Sequence, residues 1–404
     1  MYDVYEIRKD FPILGELING KPNIFMDSAA SAQKPLPVLE KMRNLYLQAY
    51  ANVHRGSYYL SETITAEYEE ARSRVHEFLN SLSDKEIVFV RNATEGVNLV
   101  ASTWGRRYLK AGDEVVVSEA EHHANLVPWQ ALRDEIGFTL KIFKLGDNGE
   151  YLEEEYLKQL TAKTKLVAVA GMSNVLGTIF PIKKMIAQAH AVGALFLVDA
   201  CQYAVHQKID VQDLDCDFLV FSGHKTYGPS GIGVLYGKYD VLNTMPPYQY
   251  GGDMVASVTY EKAEFNEPPF RFEAGTPAIM QAIGLGEALR YMMNLGMENI
   301  TAHEDELTRY TTAKLHEIKG LHIVGAAPNK GGVFSFAVDG MHPQDLAFIL
   351  DKEGVSVRTG HHCAQPIVNR MGYESLARAS LGLYNTKEDV DALCAAIIKA
   401  QKFF

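Results

Sequence analysis

From about residue 85 the chain alternates short runs rich in Val, Ile, Leu and Phe with stretches of helical character. No other feature constrains the fold as strongly, because parallel strands need a crossover of a dozen or more residues and a helix supplies it. The pattern predicts a mostly parallel sheet of seven strands covered by helices on both faces. Strands are expected at 86–90 (EIVFV), 114–118 (EVVVS), 138–143 (FTLKIF), 165–172 (KLVAVAGM), 195–198 (LFLV), 217–222 (DFLVFS) and 232–236 (IGVLY). The gap between the last two is too short for a helical crossover. They are therefore expected as antiparallel neighbours, with Lys225 in the loop between them.

A chain of 404 residues is too long for one hydrophobic core, so two domains are the expectation. Residues 246–277 are dense in Pro, Gly and aromatics, which suggests irregular structure between domains rather than a flexible linker. A mostly apolar helix follows (PAIMQAIGLGEALRYMMNLG). Beyond it a smaller α+β unit is expected, with helices near 299–318, 343–353 and 387–400 and strands at 321–325, 333–338 and 355–360. The expected division is a large domain over 20–277, and a small one from 1–19 and 278–404 that carries Arg358 and Cys363. In the last helix Val390, Leu393, Cys394, Ile397 and Ile398 fall on one face, with Thr386 as N-cap, which makes Cys394 a core residue.

Hydrophobic residues at 47% against 22% charged match an ordinary globular protein. A net charge of -11 repels phosphate backbones and anionic lipid heads, which argues against nucleic acid and membrane as partners. No apolar stretch approaches the roughly 18 residues of a membrane span. The charged start, MYDVYEIRKDFPIL, does not read as a secretory signal. Cys201, Cys216, Cys363 and Cys394 form no CxxC pair, so neither a disulfide framework nor a zinc site is expected and the compartment is expected to be the cytoplasm.

In open α/β sheets ligands bind outside the carboxyl ends of the strands. Here five such ends run into RNATEGVN, EAEHHAN, SNVLG, DACQ and SGHKTYGP. They bring Thr94, His122, Asn174, Asp199 with Gln202, and Ser222 with His224 and Lys225 toward one place. Each alone has a bland reading: a helix cap for Thr94 or Asp199, a surface ring for His122 and for His123 beside it, a solvated charge for Lys225. Together they meet the needs of pyridoxal 5'-phosphate. Lys225 is an amine that can condense with the cofactor aldehyde, and Asp199 a carboxylate that can pair the pyridine nitrogen. His122 can cover the ring and move protons, while ATEGVN at a helix start, with Ser222 and His224, can hold the phosphate.

With SGHKTYGPSGIG, DACQ and EHHAN in this order, the sequence resembles the group II, or SUF-type, cysteine desulfurases. These form a branch of the class V aminotransferase family that also includes selenocysteine lyases. The resemblance runs from DSAASAQKP (27–35) to RASLGLYNT (378–386). It implies a fold type I pyridoxal-phosphate-dependent transferase that works as a homodimer with its sites near the subunit interface. Lys225 would be the Schiff-base lysine, Gln202 would contact the ring hydroxyl, and Thr276 of AGTP would reach the phosphate from the other subunit. Asn174 and Arg358, with Arg378 nearby, would face the carboxylate of the substrate. The implied reaction takes sulfur from L-cysteine, leaves alanine, and holds the sulfur as a persulfide on Cys363. The implied receiver is a small SUF-type acceptor protein serving iron–sulfur cluster assembly.

The segment RTGHHCAQP (358–366) separates the branches, since group I enzymes carry their cysteine on a longer loop. Arg358 offers a planar fork that matches a carboxylate. His361 and His362 flank a cysteine in a setting that could favour its thiolate. Three adjacent side chains cannot easily converge on one metal, so a metal site is not expected. Cys201 departs from the Gly or Ala common among relatives and reads as a small buried hydrophobe, as does Cys216. Rival readings are selenocysteine lyase and cysteine sulfinate desulfinase on the same scaffold, an aminotransferase, a nucleotide-binding protein and an inactive scaffold. Neither GxGxxG after a strand nor GxxxxGK[ST] occurs, which argues against nucleotide binding.

Overall fold

The computed structural model describes residues 2–403. Its large sheet contains β1 (Ile87–Val90), β2 (Glu114–Ser118), β3 (Thr139–Phe143), β4 (Thr164–Ala170), β5 (Leu195–Asp199), β6 (Phe218–Ser222) and β7 (Gly233–Gly237). Their order across the sheet is β1-β7-β6-β5-β4-β2-β3. Strand β7 pairs antiparallel with both β6 and β1, and every other pairing is parallel. Six strands therefore point the same way, and β7 is the antiparallel neighbour expected from the short loop after β6.

The central strands read as continuous apolar runs because both their faces are covered. Along β4 and β5, Val167, Val169, Phe196 and Val198 join one buried cluster, while Leu166, Ala168 and Leu197 join another on the opposite face. Edge strand β3 is only partly buried, with Phe143 inside and Thr139 and Ile142 exposed. The helix Ala93–Val100 lies so close to β6 that a Cβ on Gly96 would come within 2.8 Å of Val220 Cγ1. A side chain there would push the helix, and the strand end it serves, out of place. The helix Ile279–Leu295 packs on Tyr59–Leu79 and Leu36–Gln48.

A second sheet joins β8 (Leu321–Val324), β9 (Val333–Val338), β10 (Arg358–Gly360) and β11 (Leu376–Ser380) in the order β8-β9-β11-β10, all antiparallel. Helices Met297–His316, Pro343–Lys352 and Lys387–Ala400 accompany it, and a separate apolar cluster lies between. Thr386 caps the last helix in a reciprocal pair with Asp389. Cys394 is buried as expected, but Ile398, placed on the same face from the sequence, is 47% exposed at the edge of the stripe.

The expected strand over 355–360 is divided in two. Val355–Ser356 pairs parallel with Ile24–Phe25, whereas Arg358–Gly360 turns to pair with β11. Strand β11 itself did not stand out in the sequence. Within the irregular 246–277 region a short hairpin forms, Val255–Val258 against Ala263–Phe265, and most of it is exposed. No helix among the described residues is long and apolar enough to cross a membrane.

Candidate active site

A cleft of about 210 Å³ opens at the carboxyl edge of the large sheet, where the second sheet meets it. Thr94, His122, Asn174, Asp199, Gln202, Ser222, His224 and Lys225 line one side, and Arg358, His362, Cys363 and Arg378 the other. All but one of the site residues expected from the sequence thus converge. Thr276 does not: it lines a different cavity with Tyr248, Gln249 and Gly275.

The local chain explains each placement. Asn92 caps helix Ala93–Val100 through the Glu95 amide at 3.0 Å, and Ser222 Oγ at the end of β6 accepts the Ala93 amide at 2.9 Å. The helix start carrying Thr94 is thereby tied to a neighbouring strand end. His122 Nδ1 accepts the Ala124 amide at 3.0 Å, which leaves its proton on Nε2. Burial, and then the Lys225 ammonium, push its pKa down to about 4, so the ring is neutral near pH 7. Burial followed by Lys225 and Lys34 does the same to His224, also to about 4.

Asp199 is buried, and its Oδ1 accepts the Cys201 amide at 2.9 Å, while Oδ2 has no hydrogen-bond partner among the described residues. Gln202 Nε2 donates to Ala29 O at 2.9 Å. The backbone of Lys225 is anchored to Ser222 O at 3.2 Å, and its amine makes no ion pair among the described residues. Cys201 lies 3.9 Å from Ser222 Oγ, and burial with the Asp199 charge pushes its thiol up to about 12. Contrary to its reading as a small buried hydrophobe, Cys201 is only partly buried and lines the cleft, where the raised pKa keeps it a neutral thiol. Burial likewise pushes Cys216 up, and Cys394 up to about 11.

Across the cleft, Arg358 and Arg378 stand directly opposite one another on β10 and β11. Like charges in that position repel. Asp27, which the sequence had not singled out, sits between them. Its Oδ1 is 3.3 Å from Arg378 Nη2, and its Oδ2 is 3.6 Å from Arg358 Nη1. One carboxylate against two guanidiniums leaves a positive charge for a further anion. Arg378 also donates from Nη1 to Asn174 O at 3.0 Å, while its buried Nε has no partner among the described residues. The signal that could have found Asp27 is its place just after the short apolar run IFM, at the start of the DSAAS motif.

Cys363 is exposed and sits in an unusual turn. Both His362 and Cys363 have left-handed backbones, with φ of 52° and 56°. Such conformations cost a non-glycine residue roughly 1–3 kcal/mol and persist only where surroundings enforce them. Here Asn174 Nδ2 donates to His362 O at 2.7 Å and the His123 amide to Cys363 O at 2.7 Å. The Ala364 amide closes the turn on His361 O at 2.9 Å. The expected histidine support for a thiolate is absent at His362. Burial, reinforced by the Arg378 charge, pushes its pKa down to about 3, so it carries no positive charge to offer Cys363.

The donor set fits pyridoxal 5'-phosphate. A buried carboxylate with one free oxygen, a neutral imidazole, an unpaired lysine amine and hydroxyls at a helix start surround one cleft on a mostly parallel sheet. Sheet and site together define a fold type I pyridoxal-phosphate-dependent enzyme. The family model for class-V aminotransferases matches residues 24–393, and the chain belongs to that family. Within it, the chain is 48% identical over 400 residues to the cysteine desulfurase of Synechococcus elongatus, covering 99% of this chain and 64% of that protein. It is also 48% identical over 397 residues to the cysteine desulfurase of Dickeya dadantii, covering 98% of this chain and 96% of the relative. The cysteine desulfurase CsdA of Escherichia coli, in its S-sulfonic acid form, superposes over the full length of both chains with a TM-score of 0.93 and 36% identity.

Proposed function

We propose that this chain is a cysteine desulfurase that moves the sulfur of L-cysteine onto Cys363 and leaves alanine. The observation that carries the reading is the position of an exposed cysteine, held in an enforced turn, on the same cleft as Lys225, Asp199 and the Arg358–Arg378 pair. An aminotransferase would have no use for that thiol.

When bound, pyridoxal phosphate supplies an aldehyde for the substrate amine and a ring that stores the electrons released at Cα. The residues divide the remaining work. Asp199, held by the Cys201 amide, would keep a proton on the ring nitrogen, and His122 would cover the ring. Gln202 would reach the ring hydroxyl, and Thr94, Ser222 and His224 would hold the phosphate. Arg378 and Arg358, half-neutralised by Asp27, take the substrate carboxylate, with Asn174 beside them. That grip orients the substrate so that Lys225 Nζ can take the Cα proton and return one later. Cys363 Sγ then attacks the substrate sulfur. The carbon–sulfur bond breaks with its electron pair staying on carbon, which gains a proton, and the sulfur remains on Cys363 as a persulfide. L-cysteine plus one thiol thus become alanine plus one persulfide.

The working unit proposed is a homodimer. Large side chains are exposed at the end of helix Leu36–Gln48, where the Tyr46 and Tyr50 rings meet, and at the start of Tyr59–Leu79, among them Leu47, Tyr58 and Tyr59. Exposed apolar surface of this kind favours a protein partner. Thr276, which lines a separate cavity of its own chain, is assigned to the site of the other. The persulfide is proposed to pass to a small SUF-type acceptor protein for iron–sulfur cluster assembly, in the cytoplasm.

Incubating the holoenzyme with L-cysteine and weighing the intact chain tests the reading. One added sulfur atom, located on the Cys363 peptide and removed by thiol reductant, is expected. Alanine production with no sulfur on that peptide would refute it.

A further inference from the structure

His122 and His123 follow the end of β2 side by side, and only the first lines the cleft. The second points to the opposite wall. Its amide donates to Cys363 O at 2.7 Å, and its Nε2 accepts the Gln365 amide at 3.2 Å. These two contacts bracket Ala364 and close on either side of the turn that presents Cys363. Gln365 opens the helix Gln365–Arg370, whose own N-cap residue, Ala364, offers no side-chain acceptor. A first-turn amide of a helix otherwise lacks a partner, so His123 caps this helix from a separate element. For that the ring needs a lone pair on Nε2. Burial, then the neighbouring His361, hold its pKa below the ordinary histidine value, in keeping with a neutral ring.

We propose that His123 is a positioning residue for Cys363: through Nε2 it locks the left-handed turn, and so aims the sulfur at the cleft. The inference rests on the sulfur-transfer role of Cys363 given above and deepens it. The left-handed backbone at His362 and Cys363 stores strain, and strained turns open when one of their few ties is cut. Asn174 holds the front of the turn at His362 O, and His123 holds its back. Opening it would leave the carboxylate grip of Arg358 and Arg378 intact while Cys363 wandered from the line of attack. Substrate would still bind, and sulfur transfer would slow.

The test compares His123→Gln with His123→Asn in the holoenzyme. Both keep the backbone amide and a side-chain carbonyl, but only glutamine carries that oxygen as far out as Nε2. Three quantities are read: the rate of Cys363 carboxamidomethylation by iodoacetamide, kcat and KM for alanine formation, and absorbance of the bound cofactor. In the asparagine variant alkylation is expected to speed up and kcat to fall, each about fivefold, the effect of one hydrogen bond of ~1 kcal/mol. KM and cofactor absorbance should stay as in the wild type, and the glutamine variant should restore both altered rates. Wild-type alkylation and kcat in the asparagine variant would overturn the proposal, as would equal impairment of the two variants. If the wild type forms no alanine, the sulfur-transfer reading itself fails. The alkylation rates then still decide whether His123 holds the turn.

Discussion

The carboxyl group of Glu121 lies fully inside the protein, one residue before His122. It accepts from Ser118 Oγ at 2.5 Å, Asn125 Nδ2 at 2.6 Å and the Ala170 amide at 3.0 Å, so it joins the ends of β2 and β4 to the His122 turn. Burial, assisted by the Asp199 charge, raises its pKa to about 7 despite those donors. A carboxyl whose folded pKa exceeds its unfolded value stabilises the fold fully below the unfolded value and loses that contribution as pH rises through the folded one. The window therefore runs from about 4.5 to about 7. Relative to wild type, Glu121→Gln should gain about 3 kcal/mol of stability across it, at 1.36 kcal/mol per pKa unit. Denaturant unfolding at several pH values measures the difference, and parallel curves would mean that Glu121 ionises normally. Cys363 allows a second residue-level prediction. At its left-handed φ of 56°, Cys363→Gly should be more stable than Cys363→Ala by about 1 kcal/mol, with both unable to form persulfide. At this scale the sequence was most legible where side-chain chemistry is specific, as at Lys225, Asp199 and Cys363. Asp27 was not singled out, and His123 read only as a surface histidine, because their roles exist only between segments hundreds of residues apart.

Between residue and molecule, elements are joined by buried polar ties as well as by apolar faces. Arg72 of helix Tyr59–Leu79 meets Glu273 with Nη1–Oε1 and Nη2–Oε2 distances of 2.8 and 2.9 Å, and both side chains are buried, 2% and 7% exposed. Glu273 also accepts the Phe89 amide of β1 at 2.7 Å. One carboxylate thus fastens a helix, a strand and the segment leading to Thr276. Arg72→Leu would leave that charge buried without its partner and should cost about 3–5 kcal/mol, whereas Glu273→Gln should cost less. Thermal unfolding of the two variants checks the order, and equal losses would contradict it. The elements of the large sheet were visible in the sequence to within two residues at each end, because runs buried on both faces are apolar throughout. The break between Ser356 and Arg358 was not, since Val355–Ser356 pairs with Ile24–Phe25 and local sequence holds no trace of so distant a partner. Strand β11 was hidden for a related reason: LARAS carries a charge in a buried strand, tolerable only because Asp27 and Asn174 O meet Arg378.

For the whole molecule, the two sheets matter because each brings half of the site. The groups proposed to hold the cofactor stand at the carboxyl edge of the large sheet, and the arginine pair lies on the small one, with Cys363 in the turn after β10. Parallel alternation revealed the first half directly. The second half was reached through the order of motifs, since nothing in periodicity alone says that residues 358–378 return to the strand ends near 122 and 199. If the unit is a homodimer, sedimentation should give twice the chain mass, and charged replacements at Tyr46 and Tyr59 should lower both that mass and activity. A monomeric wild type at full activity would rule out sharing of Thr276 between chains. The central claim, that Cys363 receives sulfur from L-cysteine, is tested most directly by measuring alanine formed by wild type and Cys363→Ala, each loaded with pyridoxal phosphate. Alanine from the wild type and a loss of at least about a hundredfold in the variant is the predicted result, as expected when a nucleophile is removed. Equal alanine from both proteins would contradict it.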